Sequence, residues 1–317
     1  MGRRLPRSYP PDSEKVPLGG TTLHPDSPLL VASTLDAVTD FLRAHAVIAA
    51  NVAGLVAAAI LLRLKGVLTA QGLTAVRRDV RAHHPLVWFA CAMLVWLTMP
   101  LAAGAAAEFL HVSTDVASQS PREQATVLAA GYGLGLAVAV VLTYLLHASA
   151  PGAGLFPSVA SVVGGMLMLA LAWPLVTCVG ALATWIHATW FGAVPDAVAH
   201  PTLKALLERK GDPWVLTQAG LAVLAAPVLE EILYRGMLQS ALVAVFNRAW
   251  AGVVLTSAIF AAAHVVGQST VPWYAAVALF ALSCCIGLAL ERTGRLGVAI
   301  GMHVAFNAVN VAIALQR

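Results

Sequence analysis

The chain has 317 residues, of which 59% are hydrophobic and 11% are Asp, Glu, Lys or Arg, and its mean hydropathy is +0.81. A soluble domain carries about 25% charged residues, so this chain has too few charges to cover the surface of a soluble globule. The composition therefore excludes a cytosolic enzyme, a disordered chain and a nucleic-acid-binding protein. The formal net charge of +4 comes largely from a few segments between apolar runs, and the remaining class is a polytopic α-helical membrane protein.

The first 32 residues contain prolines and glycines among charges and lack an apolar stretch, which predicts a disordered tail without a cleavable signal peptide. Apolar runs long enough to span a bilayer follow this tail. We count eight, near 45–66, 86–107, 125–147, 158–191, 214–240, 249–266, 272–290 and 296–315. The pattern predicts an all-α fold, a polytopic transmembrane helix bundle of about eight spans.

The strongest basic cluster lies between the first two runs and comprises Arg63, Lys65, Arg77, Arg78 and Arg81. Because basic segments between spans favour the cytoplasmic side, we place this segment in the cytoplasm and both chain termini outside. A smaller basic group, formed by Lys204, Arg209 and Lys210, falls on the opposite side and opposes this orientation.

Two adjacent carboxylates, Glu230 and Glu231, stand in the middle of the fifth apolar run. Charges within spans are costly and usually functional. Arg235 follows Glu231 by four residues, so the two can form an ion pair. Glu230 projects about 100° away from Glu231 and is the better candidate for a working carboxylate, with Glu231 and Arg235 as its support. Pro227 should bend this helix or open it to water. A charge cluster that reaches to a membrane interface is the alternative interpretation.

Two further runs carry an ionisable side chain with a partner one helical turn away. His264 follows Phe260 by four residues, and Asn307 follows His303 by four. A single histidine in a span is often only a packing residue, but its recurrence on separate helices together with the carboxylates favours a site. Glu291 lies near the end of its run, and we interpret it as an interfacial residue.

A carboxylate, two imidazoles and a carboxamide are the groups needed to hydrolyse an amide. Glu230 could deprotonate a water, directly or with help from His264. Asn307 and His303 could donate hydrogen bonds to the oxyanion of the tetrahedral intermediate. Alternatively, Glu230, His264 and His303 are candidate ligands for a divalent metal such as zinc that activates the water. The His-Glu-x-x-His motif of many zinc proteases is absent, and no serine or paired-aspartate route is suggested.

These residues form three motifs, Glu230-Glu231-x-x-x-Arg235, Phe260-x-x-x-His264 and His303-x-x-x-Asn307. In this order and on separate helices they resemble the motifs of the CPBP intramembrane protease family, which includes CAAX prenyl endopeptidases and bacteriocin-processing or self-immunity proteins. The resemblance covers roughly residues 214–310. It implies a multi-span α-helical hydrolase with Glu230, His264, His303 and Asn307 as the catalytic set and Glu231, Arg235 and Phe260 as supporting motif residues.

We therefore expect residues 33–213 to form N-terminal transmembrane helices and residues 214–317 to form a catalytic core of four helices. The resemblance implies a multi-pass endopeptidase of the glutamate or metallo type in the plasma membrane of a bacterium. Its expected partners are membrane lipid and a peptide or membrane-protein substrate, for which the CAAX label implies a lipidated C-terminus, and no nucleic acid. Two alternatives are a proton-coupled transporter that uses the same carboxylates and histidines as a relay, and a non-catalytic immunity or scaffold protein.

Overall fold

The computed structural model describes residues 28–113, 115, 118–192, 201–209, 211–266 and 271–316, and all the regular secondary structure in these residues is helical. In chain order the helices are α1 (Pro28–Leu64), α2 (Ala70–Thr74), α3 (Pro85–Phe109), α4 (Pro121–Ser149), α5 (Val159–Phe191), α6 (Pro201–Glu208), α7 (Pro213–Phe246), α8 (Ala249–Val266), α9 (Trp273–Thr293) and α10 (Leu296–Gln316).

Eight of the described helices are long and apolar enough to cross a membrane, namely all but the short α2 and α6. The predicted all-α bundle of about eight spans is thereby confirmed. In α1 the apolar part is Ala46–Leu64. Most of the predicted tail, residues 1–27, lies outside the described residues, and residues 28–32 belong to α1. The chain divides into two compact units, Met1–Val47 and Ile48–Arg317, and everything below concerns the second.

Local sequence signals explain where several helices begin and end. Ser120 and Glu123 form a reciprocal capping box at the start of α4, which satisfies backbone donors that the first helical turn leaves free. α9 ends at Gly294, whose φ of 61° is left-handed, a conformation that glycine adopts at little cost. The resulting link between α9 and α10 is only two residues long, so the two helices run antiparallel side by side.

A close helix crossing brings α10 against α5 through glycines. A Cβ atom on Gly301 would collide with the backbone carbonyl of Val162, and one on Gly165 would collide with that of Val298. Small residues allow such backbone contact between membrane helices. Because Gly301 lies two positions before His303, this crossing sets the position of the α10 segment that carries the candidate site residues.

α7 is one continuous run of helix with two π-helical segments, Leu221–Ala225 and Glu231–Leu238. In the first segment Ala226 N–H donates to the carbonyl of Leu221, five residues back. The next bond of this type would join Pro227 to Ala222, but proline has no N–H. Pro227 therefore leaves the Ala222 carbonyl without its helical donor, while the helix itself continues. π-Helical turns of this kind are frequent at functional sites.

The α5–α10 crossing yields a test of how the site is positioned. We expect Gly301→Ala to destabilise the protein by about 1–3 kcal/mol, because the added methyl group forces two helix backbones apart. The measurement is the midpoint of thermal unfolding in detergent. Gly164→Ala is the matched control, since a Cβ on Gly164 meets nothing within 4 Å and alanine is the better helix former. Equal midpoints for the two variants would contradict the proposed close crossing.

Candidate active site

The carboxylate of Glu231 is fully buried and contacts two other side chains of the site, His303 and Arg235. Its Oε1 accepts a hydrogen bond from Nδ1 of His303 at 2.7 Å, and its Oε2 lies 3.1 Å from Nε of Arg235. The ion pair with Arg235 is the one that the four-residue spacing predicts. Because a carboxylate only accepts hydrogen bonds, the hydrogen of the His303 ring lies on Nδ1, and Nε2 points the other way.

Arg235 is as deeply buried as its carboxylate partner. One of its Nη atoms donates to Oγ of Ser283 on α9 at 2.7 Å, while the guanidinium carbon lies 4.7 Å from the centre of the Phe260 ring. A cation over an aromatic face is stabilised by the ring quadrupole. Arg235 therefore links α7 to both α8 and α9, as the support predicted from sequence requires.

Glu230 differs from its neighbour in both exposure and partners. Its side chain is 24% exposed, and its Oε2 lies 3.8 Å from Nε2 of His303. This separation is too long for a direct hydrogen bond, but it suits a water that bonds to both groups. His303 thus has Glu231 on one ring nitrogen and Glu230 on the other, and only the Glu230 side is partly open.

Phe260 lies between the two imidazoles of the site. Its ring centre is 4.5 Å from that of His264 and 5.8 Å from that of His303. Nδ1 of His264 lies 2.9 Å from the Phe260 carbonyl. Since a carbonyl oxygen accepts, Nδ1 carries the hydrogen and Nε2 of His264 is available to other groups. Phe260 therefore orients both histidines, one through its backbone and both through its ring.

Asn307 makes a hydrogen bond that the sequence does not predict. Its Nδ2 donates to the Ala222 carbonyl at 2.8 Å, which is the acceptor that Pro227 leaves without a helical donor. The amide has two N–H groups, so one is used to hold α10 against α7 and the other is left for a further acceptor. The predicted role of Asn307 at an oxyanion stays a prediction, and the structure adds a positioning role.

The metal-binding alternative requires three converging donors. Among the described residues, no group of three or more His, Cys, Asp or Glu side chains is placed to hold a metal ion. The structure brings Glu230 and His303 together but does not complete the predicted ligand set with His264. That set stays a prediction.

The N-terminal helices contribute a residue that the motifs do not contain. Tyr132 on α4 is partly buried in the core, and its phenol is within electrostatic range of the Glu230 carboxylate. Gly135, one helical turn further along α4, packs against Leu229, which places this face of α4 against the Glu230 segment. A lone tyrosine in a glycine-rich run has no sequence signal that distinguishes it from a packing residue.

A second buried polar network lies further along α7. Glu291, interpreted from sequence as an interfacial residue near the end of its run, is fully buried within the protein. Its Oε1 accepts from Nε and Nη2 of Arg78 at 3.1 and 2.5 Å and from Gln239 at 2.8 Å. Arg78 also donates to Ser240 at 3.0 Å. The sequence conceals this pair because Arg78 lies in an arginine-rich segment and Glu291 at the end of an apolar run, which are both ordinary positions for solvated charges.

The comparison with known protein families concerns the same helices. Residues 212–309 match the family model described as type II CAAX prenyl endopeptidase Rce1-like. This part of the chain is therefore similar to that family. The match confirms the resemblance to CPBP intramembrane proteases and contains all three motifs, from Glu230 to Asn307. No curated protein and no solved structure matches the chain significantly. The Rce1-like region leaves out α1 to α6, and therefore Tyr132 and Arg78.

The two adjacent glutamates allow a matched stability test. We expect Glu231→Gln to cost roughly 3–5 kcal/mol, because it leaves the buried Arg235 guanidinium without a counter-charge. Glu230→Gln should change stability little, since this side chain is partly exposed and makes no direct hydrogen bond to any described residue. Both variants are compared with the wild type by thermal unfolding in detergent. A larger loss for Glu230→Gln than for Glu231→Gln would contradict the assignment of the support role.

Proposed function

We propose that this protein is an intramembrane endopeptidase of the CAAX-protease type, in which Glu230 activates a water. The observation that supports the proposal is that the two adjacent carboxylates differ in burial and in their partners. Glu231 is committed to Arg235 and His303 and is fully buried, whereas Glu230 is partly open and faces a ring nitrogen of His303 across 3.8 Å. A site that was only structural would have no need for the second carboxylate.

In the proposed reaction a water binds between Glu230 and Nε2 of His303. Glu230 takes a proton from this water as its oxygen attacks the carbonyl carbon of the peptide bond. The carbonyl oxygen becomes an oxyanion, and the second N–H of Asn307 is the donor that can bind it. Because this N–H belongs to an amide already held at the Ala222 carbonyl, it is oriented before the substrate arrives.

Collapse of the tetrahedral intermediate breaks the C–N bond, and the leaving amine needs a proton. Glu230 can return the proton that it took from the water, which makes it base and then acid in the same cycle. His264, whose Nε2 is available, is the second group that can move a proton in this site. Phe260 keeps both imidazoles in place.

The substrate that we propose is a peptide segment of a membrane-associated protein, with a lipidated C-terminus as the type that the family description suggests. An active site formed between membrane-spanning helices can reach bonds at or within the bilayer. We propose the plasma membrane of a bacterium as its location. The proposed water lies between Glu230 and His303, which are 3.8 Å apart, and the route does not require a metal.

The activity is tested by comparing the peptides released from membranes that contain the wild type and the Glu230→Gln variant. We expect a set of C-terminal peptides to depend on the wild type and their release to fall about 10²–10⁴-fold in the variant, as for loss of a general base. Glu108→Gln, which changes an exposed carboxylate at the end of α3, is the control and should leave release unchanged. Identical peptide sets for the wild type and Glu230→Gln would refute the proposal.

Two further measurements separate the alternatives. A proton-coupled transporter would dissipate a pH gradient in liposomes, and we expect no difference in flux between the wild type and Glu230→Gln. A metal-dependent enzyme would lose activity on treatment with 1,10-phenanthroline and regain it with zinc. Full activity after chelation supports the route without a metal, whereas loss and rescue would favour Glu230, His264 and His303 as ligands.

A further inference from the structure

One end of the bundle carries eight of the 19 Lys and Arg residues of the chain. Side-chain and backbone hydrogen bonds join the segments there: Arg78 binds Glu291, Arg81 binds Asn247, and Leu296 N–H binds the Gly154 carbonyl. We call this end the basic face. It carries Arg63, Lys65, Arg77, Arg78, Arg81, Arg248, Arg292 and Arg295 against Asp79 and Glu291, a net charge of +6.

The described segments at the opposite end carry a small excess of negative charge. Residues 108–113, 115, 118–123, 201–209 and 211–213 contain five Asp or Glu and three Lys or Arg. This asymmetry, together with the positive-inside tendency, places the basic face towards the cytoplasm. The inner surface of a membrane is also the one that carries negative lipid charge.

Two buried side chains of the basic face, Arg78 and Glu291, form an ion pair with each other. Glu291 accepts two hydrogen bonds from Arg78 and one from Gln239, all on the same oxygen. The exposed Arg81 donates to the neutral side-chain oxygen of Asn247. The one buried carboxylate of this face is therefore committed to another arginine and does not form an ion pair with Arg292.

Arg292 is the exception. Its Nε and both Nη atoms are shielded from solvent, and none has a hydrogen-bond partner in the described part of the chain. A second guanidinium, that of the exposed Arg77, repels it, and the neighbouring Glu291 carboxylate offsets this repulsion only in part. A shielded cation without a partner is costly, and two like charges near each other add to that cost. An anion between the two would remove both costs.

We propose that Arg292 and Arg77 bind a phosphate group, supplied by the headgroup of an anionic phospholipid at the basic face. Arg292 is the second-last residue of α9, so it lies at the end of an apolar span, where we expect lipid headgroups. A planar guanidinium matches phosphate oxygens with paired donors. Clusters of basic residues beside membrane spans attract anionic lipids electrostatically. The site is outside the proposed active site and shares no residue with it.

The test is to measure lipid binding to the delipidated, purified protein by native mass spectrometry, with phosphatidylglycerol and phosphatidylcholine as probes. We expect the wild type to retain phosphatidylglycerol in preference, and Arg292→Gln to weaken that binding by about tenfold, as for loss of a charge-assisted hydrogen bond. Arg77→Gln should also weaken phosphatidylglycerol binding. Because Arg77 is exposed, we expect this variant to fold, so it tests the proposal even if Arg292→Gln does not fold.

Arg295→Gln is the matched control, because it removes an exposed charge three residues away on the same face. It should change phosphatidylglycerol binding by less than about twofold, as expected for a screened surface charge. If Arg295→Gln weakened phosphatidylglycerol binding as much as Arg292→Gln, general surface charge would explain the binding, and the proposal would be overturned. Inorganic phosphate separates the two sources of the anion: if millimolar phosphate displaces phosphatidylglycerol from the wild type, the site binds free phosphate, and the lipid assignment is wrong.

Discussion

The buried carboxylate of Glu231 is the constraint on which the site depends. Its two oxygens contact His303 on α10 and Arg235 on its own helix, and Arg235 in turn reaches Ser283 on α9. A charge at this depth is tolerated only when it is paired and hydrogen-bonded. Three helices must therefore keep one arrangement, because a shift of any of them would leave a buried charge or donor without its partner.

A missing backbone donor has a comparable effect nearer the start of α7. Pro227 follows a π-helical segment and leaves the Ala222 carbonyl free, and Asn307 occupies it. α10 is thus bound to α7 at two places, once through His303 and once through Asn307. Both are residues of the third motif. The motif residues therefore hold the helices together as well as supplying reactive groups, and the two functions cannot be separated by residue type alone.

The same polar connection is repeated one turn further along α7. Four residues after Arg235, Gln239 donates to the Gly287 carbonyl and to Glu291 on α9, and Glu291 also binds Arg78 from the segment before α3. Inside a membrane, apolar burial does not favour one helix arrangement over another, since lipid is equally apolar. Specific polar contacts at regular spacing along α7 therefore select one helix arrangement. The contacts of Gln239, Glu291 and Arg78 extend this selection to the N-terminal half of the chain.

Composition and local spacing by themselves determined the class, the eight spans, the Glu231–Arg235 pair and the identity of the motif residues, because these depend on hydropathy and on helical periodicity. Only the tertiary structure decided that His303 lies between two carboxylates, that Asn307 binds the Ala222 carbonyl, that Glu291 is buried, and that α4 packs against Leu229 beside Glu230. Each of these facts joins residues that are distant in the chain. Their contact depends on how helices cross, which short-range periodicity does not encode.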